Sequence, residues 1–339
     1  MKSTVLLLFF GLLNSIAFSQ NLKGRVVDDL NLPIPGASVY YDGTTIATST
    51  DENGEFTIRY NSAIKRPLVV SYIGYQTIFI EEYAPGQQLL IAMEASVTKL
   101  KEVVVKKQRF SRKEMMRIFK DRFLGSTRFG LKSIIKNEAD IDFDYDEKSL
   151  VLKASSDKPV LIINPLLGYK VTYELVDFEA VFNYLSISPE ALNSSYYAGL
   201  SQFEDIESNP KIAKNRDKAY QGSTVNFFRN LINGTWSKSE FQIFSKGFLV
   251  NPSDFFEVSF ENDKYKVSIK KQEKAVGCIA SVGFLYNGKE QSQVKFLSDT
   301  IYIDQFGNNL SIRDVYFSGP ISLKRVGDML PLNYTFTKN

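Results

Sequence analysis

Apolar and polar residues alternate along short runs over most of this chain, and twice the spacing changes to that of an amphipathic helix. The first run is Gly24-Arg25-Val26-Val27-Asp28. Pro33, Pro35 and Gly36 then force a reversal before Ala37-Ser38-Val39-Tyr40, because proline fixes φ and glycine opens positive φ. Asp51-Glu52-Asn53-Gly54 predicts a tight hairpin between Ile46-Ala47-Thr48 and Phe56-Thr57-Ile58. Ser111, with Glu114 three residues on, predicts a capping box that opens a helix. Met115, Ile118, Phe119 and Phe123 form its apolar stripe, Arg122 lies beside them, and Gly125 stops it. Strict alternation from Asp140 to Asp146 predicts a strand with Ile141, Phe143 and Tyr145 inward and four aspartates outward. A turn at Glu147-Lys148 returns it as Leu150–Leu152, and Gly168–Leu175 alternates again. Ser223 and Gly234 bracket a second helix, Thr224–Ile232. Beyond it an antiparallel meander is expected: Phe256–Phe260 and Tyr265–Ile269 around a polar turn, two strands joined by Asn287-Gly288, and a last pair turned at Gly307-Asn308.

The N-terminus changes the picture first. Lys2, the apolar run Val5–Leu13 and the small-x-small end Ala17-Phe18-Ser19 have the pattern of a secretory signal peptide, residues 1–19, cut between Ser19 and Gln20. No cysteine stands at the cut, so no lipid anchor is expected. Export to the periplasm, or association with the outer membrane from there, follows. Of the 339 residues, about 320 remain, enough for two or three domains with their own cores. The composition, 44% hydrophobic and 13% aromatic, suits a folded chain. A net charge of +3 gives no argument for nucleic acid.

Chemistry is limited by what is missing. There is no histidine, which removes His-ligated zinc and the Ser-His-Asp and Cys-His hydrolases. Carboxylate-pair hydrolysis and a Ser-Lys arrangement survive, but no motif singles out catalytic, cofactor-binding or metal-binding residues. The aspartates from Asp140 lack the glycine and glutamate of a calcium loop, since Tyr145 and Val151 stand there. The lone cysteine, Cys278, can form no intrachain disulfide, and its apolar neighbours Val276–Val282 predict a buried, inert thiol.

The turns between Gly24 and Phe56, followed by Val70–Gln76, resemble the carboxypeptidase-regulatory-like domain. That resemblance implies a non-catalytic, seven-stranded, transthyretin-like (immunoglobulin-like) sandwich over residues 21–95. Leu100–Val105 resembles the stretch that follows this domain in TonB-dependent outer-membrane receptors, although too few residues follow for a plug and barrel. Phe123-Leu124-Gly125, Leu167-Gly168-Tyr169, Ala219–Ser223 and Asp328–Tyr334 resemble landmarks of exported carboxypeptidase-like-regulatory-domain-containing proteins, a Gram-negative family. The expected fold is therefore mainly β. A sandwich is followed by a basic linker, 96–109, and an α+β region with antiparallel sheet, 110–339.

Export, the missing histidines, the absence of a phosphate-binding loop or metal constellation and the family resemblance together point to a non-catalytic binding or structural protein of the cell envelope, with a protein or glycan partner. Two alternatives stand beside it: a carboxylate-based glycoside hydrolase, and a periplasmic accessory to an outer-membrane transporter. Lys99–Arg122 carries ten basic residues (Lys99, Lys101, Lys106, Lys107, Arg109, Arg112, Lys113, Arg117, Lys120, Arg122) against Glu102, Glu114 and Asp121. It reads either as a solvated linker and helix face or as a strip that docks on an anionic membrane surface or acidic partner. Asp299-Thr300-Ile301 is either a strand entry or an O-glycosylation acceptor.

Overall fold

A computed structural model describes residues 21–60, 66–84, 86–96, 108–245, 247–270 and 277–336. The expected signal peptide, residues 1–19, and Lys99, Lys101, Glu102, Lys106 and Lys107 of the basic strip lie outside the described residues. The chain divides into two compact units, 1–42 with 46–102, and 43–45 with 103–339.

The first unit holds seven strands: β1 (Asn21–Val27), β2 (Ser38–Tyr41), β3 (Ala47–Ser49), β4 (Glu55–Arg59), β5 (Leu68–Ser71), β6 (Ile78–Ile80) and β7 (Gln88–Ala92). They form two sheets, β4-β1-β7 and β3-β2-β5-β6. The alternation places Leu22, Val26, Phe56, Ile58, Leu89 and Ile91 inward. Gly24 sits where any Cβ would lie 2.5 Å from the Phe56 ring, so its lack of a side chain lets Phe56 pack. The turn at Asp51–Gly54 forms, with Gly54 at φ 73 and the Asp51 carboxylate accepting from the amides of Asn53 and Glu55. It is not the expected hairpin, however. β3 and β4 belong to different sheets, so the turn carries the chain across the sandwich. An Asn-Gly turn fixes a reversal, and burial on either side decides which sheet each strand joins.

In the second unit, α1 (Arg112–Phe123) begins at the expected capping box, with both Ser111–Glu114 bonds present. A short α2 (Arg128–Lys132) follows. The strands β8 (Ile134–Ile135), β9 (Ile141–Asp146), β10 (Val151–Ser156), β11 (Val160–Asn164), β12 (Tyr169–Phe182) and β13 (Leu192–Asp205) make a six-stranded sheet in which β13 pairs the whole length of β12. α1 lies on this sheet, with the Phe119 ring centroid 4.8 Å from that of Phe178 and Phe123 5.1 Å from Tyr173. Asp142, Asp144 and Asp146 point outward as expected. Asp140 is instead half-buried in a 3₁₀ turn and paired with Lys158 at 3.0 Å.

Next come α3 (Pro210–Tyr220) and α4 (Thr224–Asn233), the latter ending at Gly234 with φ 64. The last region comprises β14 (Phe241–Ser245), β15 (Phe248–Leu249), β16 (Phe256–Glu261), β17 (Lys264–Ile269), β18 (Ala280–Tyr286), β19 (Glu290–Phe296), β20 (Thr300–Ile303) and β21 (Val315–Ser318). Two hairpins form where expected, through Asn262-Asp263 (φ 51 and 60) and Asn287-Gly288 (φ 48 and 62). The single meander does not. β20 joins β16 and β17, whereas β21 joins β15, β14, β18 and β19 in a second sheet. Gly307-Asn308 therefore turns the chain between sheets, around an Asp304 carboxylate that accepts from the amides of Phe306 and Asn308. Cys278 is also corrected: it is half-buried in the bend before β18, because the apolar run enters the core only at Ala280.

Candidate functional site

α1 buries Met115, Met116, Ile118, Phe119 and Phe123 and leaves Arg112, Lys113, Glu114 and Arg117 to solvent. The helix forms one side of a groove of about 1330 Å³. Met116, Ile118 and Leu124 contribute apolar lining, Gly130 and Leu131 of α2 line it, and Glu138, Ala139 and Pro189 complete the boundary. Leu131 is 71% exposed.

The charges around the groove are mostly committed locally. Lys120 pairs with Glu138 at 2.5 Å, Arg122 with Asp121 at 2.6 Å and Arg109 with Glu147 at 3.8 Å. The Arg112 guanidinium donates to the Glu138 carbonyl at 2.8 Å and lies 5.6 Å from the Phe143 ring centroid. The Ser111 hydroxyl, followed by its amide, holds the Glu114 carboxyl below the usual range. Lys113 and Arg117 are exposed on the rim. Arg117 adds electrostatic support to the ionised forms of Glu114 and Glu190.

Behind the groove, a C-terminal segment fixes α2. Thr127, the N-cap of α2, accepts from the amides of Phe129 and Gly130 and donates its hydroxyl to Asp328 Oδ2 at 2.7 Å. Gly327 donates its amide to the Leu124 carbonyl at 2.9 Å, and its own carbonyl accepts from Asn164 at 2.7 Å. A Cβ on Gly327 would stand 2.5 Å from Gly130 Cα. Arg325 donates to the Arg122 carbonyl and to Ser195 Oγ, each at 2.8 Å. The Lys324 ammonium donates to the carbonyls of Ala219 and Gln221. Asp328 is buried, and its Oδ1 has no hydrogen-bond partner. Burial pushes its carboxyl up to about 6, against the opposing pull of the Thr127 hydroxyl and the Lys324 charge. Burial likewise pushes Lys324 and Arg325 down.

A second set of bonds extends this clasp. Arg216 stacks 3.8 Å from the Tyr169 ring centroid, donates to the Leu167 carbonyl at 2.8 Å and pairs with Asp205 at 2.7 Å. The Tyr334 hydroxyl donates to Asp217 at 2.5 Å, and Tyr220 stacks on Phe336. All four segments that carry the second sequence resemblance thus meet in one network. Their landmark residues are explained by backbone proximity and buried polar bonds. Sequence reasoning assigned no site residues, and it overlooked α3, whose Asn209 cap and Pro210 were visible signals. Thr300 opens β20, half-buried and paired with Ser268, which is a strand entry. Among the described residues no group of three or more Cys, Asp or Glu is placed to hold a metal ion, and no helix is long and apolar enough to cross a membrane.

Residues 22–105 match the family model of the CarboxypepD_reg-like domain. The first unit is therefore a carboxypeptidase-regulatory-like module. Among curated proteins, the TonB-dependent receptor SusC of Bacteroides thetaiotaomicron is 36% identical over 108 residues, 31% of this chain and 10% of the receptor. The chain thus spans about a tenth of the length of that relative. Among solved structures, a type II cohesin–X-dockerin complex from Acetivibrio cellulolyticus matches 33% of this chain and 82% of its own at 20% identity, with a TM-score of 0.21. A 9R-lipoxygenase from Cyanothece matches 65% of this chain and 49% of its own at 10% identity, with a TM-score of 0.19. Neither superposition is close enough to assign a fold.

Proposed function

We propose that this protein is an exported, non-catalytic binding module of the cell envelope, whose groove on α1 and α2 receives a segment of a partner protein. The observation that carries this reading is the exposed apolar lining at Leu131, held in place by the buried Thr127–Asp328 clasp. A rigid apolar recess with a charged rim suits recognition. The groove carboxylates argue in the same direction. Glu114 is used in a capping box, Glu138 in an ion pair with Lys120 and Asp121 in one with Arg122. Glycoside hydrolysis needs one carboxylic acid kept protonated in a cleft, whereas the Ser111 bonds hold Glu114 in its ionised form.

Placing a photo-reactive residue at Leu131 in the native host tests the reading. Cross-links from position 131 to one protein, lost on Arg117→Glu, are expected; an absence of cross-links in the intact envelope refutes the groove as the docking site. A second reading, an accessory to an outer-membrane transporter, is favoured by the similarity to a TonB-dependent receptor. It requires the cross-linked protein to be such a receptor. Electrostatic docking on lipid is a weaker reading within the described residues. Among the described residues of the basic strip, Lys113 and Arg117 are exposed on the rim, and Arg117 already faces Glu114 and Glu190; at about 1 kcal/mol per basic residue they give little hold.

A further inference from the structure

The loops at one end of the first unit carry a surface that the groove does not explain. The pairings Arg25↔Glu55, Val27↔Ala92, Ser38↔Ser49, Ser38↔Ser71 and Val70↔Ile78 bring the end of β1, the starts of β2, β4 and β6, and the ends of β3, β5 and β7 to the same end of the sandwich. Backbone bonds tie these loops together, from Gly36 to Thr50, from Ile34 to Val26 and from Ser96 to Gly74.

This end presents large aliphatic side chains to water. Ile73 is 80% exposed, Leu30 74% and Leu32 56%. The loop that holds the two leucines is rigid, because Asp28 Oδ1 accepts from both their amides, at 2.9 and 2.8 Å. Ordering apolar side chains outward on a braced loop gives the isolated protein nothing, since water contacts them. Around them the charge is mainly negative, with the Arg25 guanidinium of β1 set among it and donating to the Asn53 carbonyl at 3.0 Å. Residues 28–37, 50–54, 72–77 and 93–96 contain Asp28, Asp29, Asp51, Glu52 and Glu94 and no lysine or arginine, in a chain whose net charge is +3.

We propose that this acid-rimmed apolar tip docks on a protein surface that offers an apolar patch ringed by lysine or arginine. Leu30, Leu32 and Ile73 would fill the patch, and the exposed carboxylates would pair with its rim. Anionic lipid is disfavoured because the carboxylates repel it. Tip-to-tip pairing of two copies is disfavoured for the same reason.

Carbodiimide cross-linking of envelopes from the native host, using the full tagged chain, tests this directly. The reagent joins carboxylates to amines only in contact. Amide links from Asp29, Glu52 or Glu94 to lysines of one partner are expected. They should fall at least tenfold in the Leu30→Ser/Leu32→Ser/Ile73→Ser variant, whose melting curve should match the wild type. They should also weaken at 1 M salt, where the Debye length shrinks from about 10 Å at 0.1 M to 3 Å. With that partner purified, Asp29→Lys/Glu52→Lys should abolish binding, and reversal of the linked lysines to glutamate should restore it. Absence of links from these acids, links unaffected by either variant, links only to another copy of this chain, or tip-dependent binding to phosphatidylglycerol vesicles would each overturn the proposal.

Discussion

Asp328 makes the second unit's stability depend on pH in a direction opposite to that of most carboxylates. Its carboxyl is buried with Oδ1 unpaired, and its pKa rises from 3.8 to about 6. The folded state therefore holds this proton more tightly than the unfolded state does. The stabilisation is complete below pH 4, and is lost as pH rises through 6. A shift of about two units corresponds to about 3 kcal/mol. Asp328→Asn keeps an oxygen for the Thr127 hydroxyl and removes the titration. Whatever constant cost its amide adds, the difference in unfolding free energy between variant and wild type should move by about 3 kcal/mol in the variant's favour from pH 4 to pH 7. Urea unfolding followed by fluorescence of Trp236, the one tryptophan of the chain, reads the second unit. Trp236 stacks near Phe256 in its core. A difference constant within about 0.5 kcal/mol over that range would mean that Asp328 is solvated or paired, and the clasp as described would be wrong.

Gly54→Val should destabilise the first unit by about 2–4 kcal/mol. It combines strain at positive φ with a Cβ placed 2.4 Å from the Val26 carbonyl oxygen, and thermal unfolding measures the loss. Gly74→Ala, also at positive φ but with open space around it, should cost about 1 kcal/mol, and equal losses would defeat the distinction. Gly327→Ala should cost about 1–3 kcal/mol and speed hydrogen exchange at Phe129–Ser133, because the added methyl meets the backbone of Gly130 and Leu124. Mass spectrometry of the protein from its host should find Gln20 as the first residue, and a retained Met1 would remove the export reading.

The parts of this fold that were legible in the sequence are those written in local chemistry. The Ser111 capping box, the αL glycine at Gly234 and the paired positive-φ turns at Asn262-Asp263 and Asn287-Gly288 depend on residues within a few positions of each other. The sheet that each strand joins was not legible. Asp51–Gly54 and Gly307-Asn308 have turn residues, yet the strands around them part to different sheets, and only burial of distant partners decides that. α3 escaped because it buries little beyond Ile212 and Ala219 and so carries a weak apolar stripe. The clasp could not be found by motif at all. Its members come from Leu124, Thr127, Asn164, Ala219 and Gly327-Asp328, and Leu124, Ala219 and Gly327 act through backbone groups that any residue supplies.

The Gly327–Leu124 bond spans 203 positions of sequence, and the Arg325–Arg122 bond another 203. A ribosome adds residues at roughly 5–20 per second, so α1 and α2 emerge at least ten seconds before the strand of chain that locks them. During that interval the α1 and α2 backbone waits without its closing partner, while the sandwich has every strand it needs. The two units are thus completed at different points of synthesis, the second only when residues 325–328 have been added.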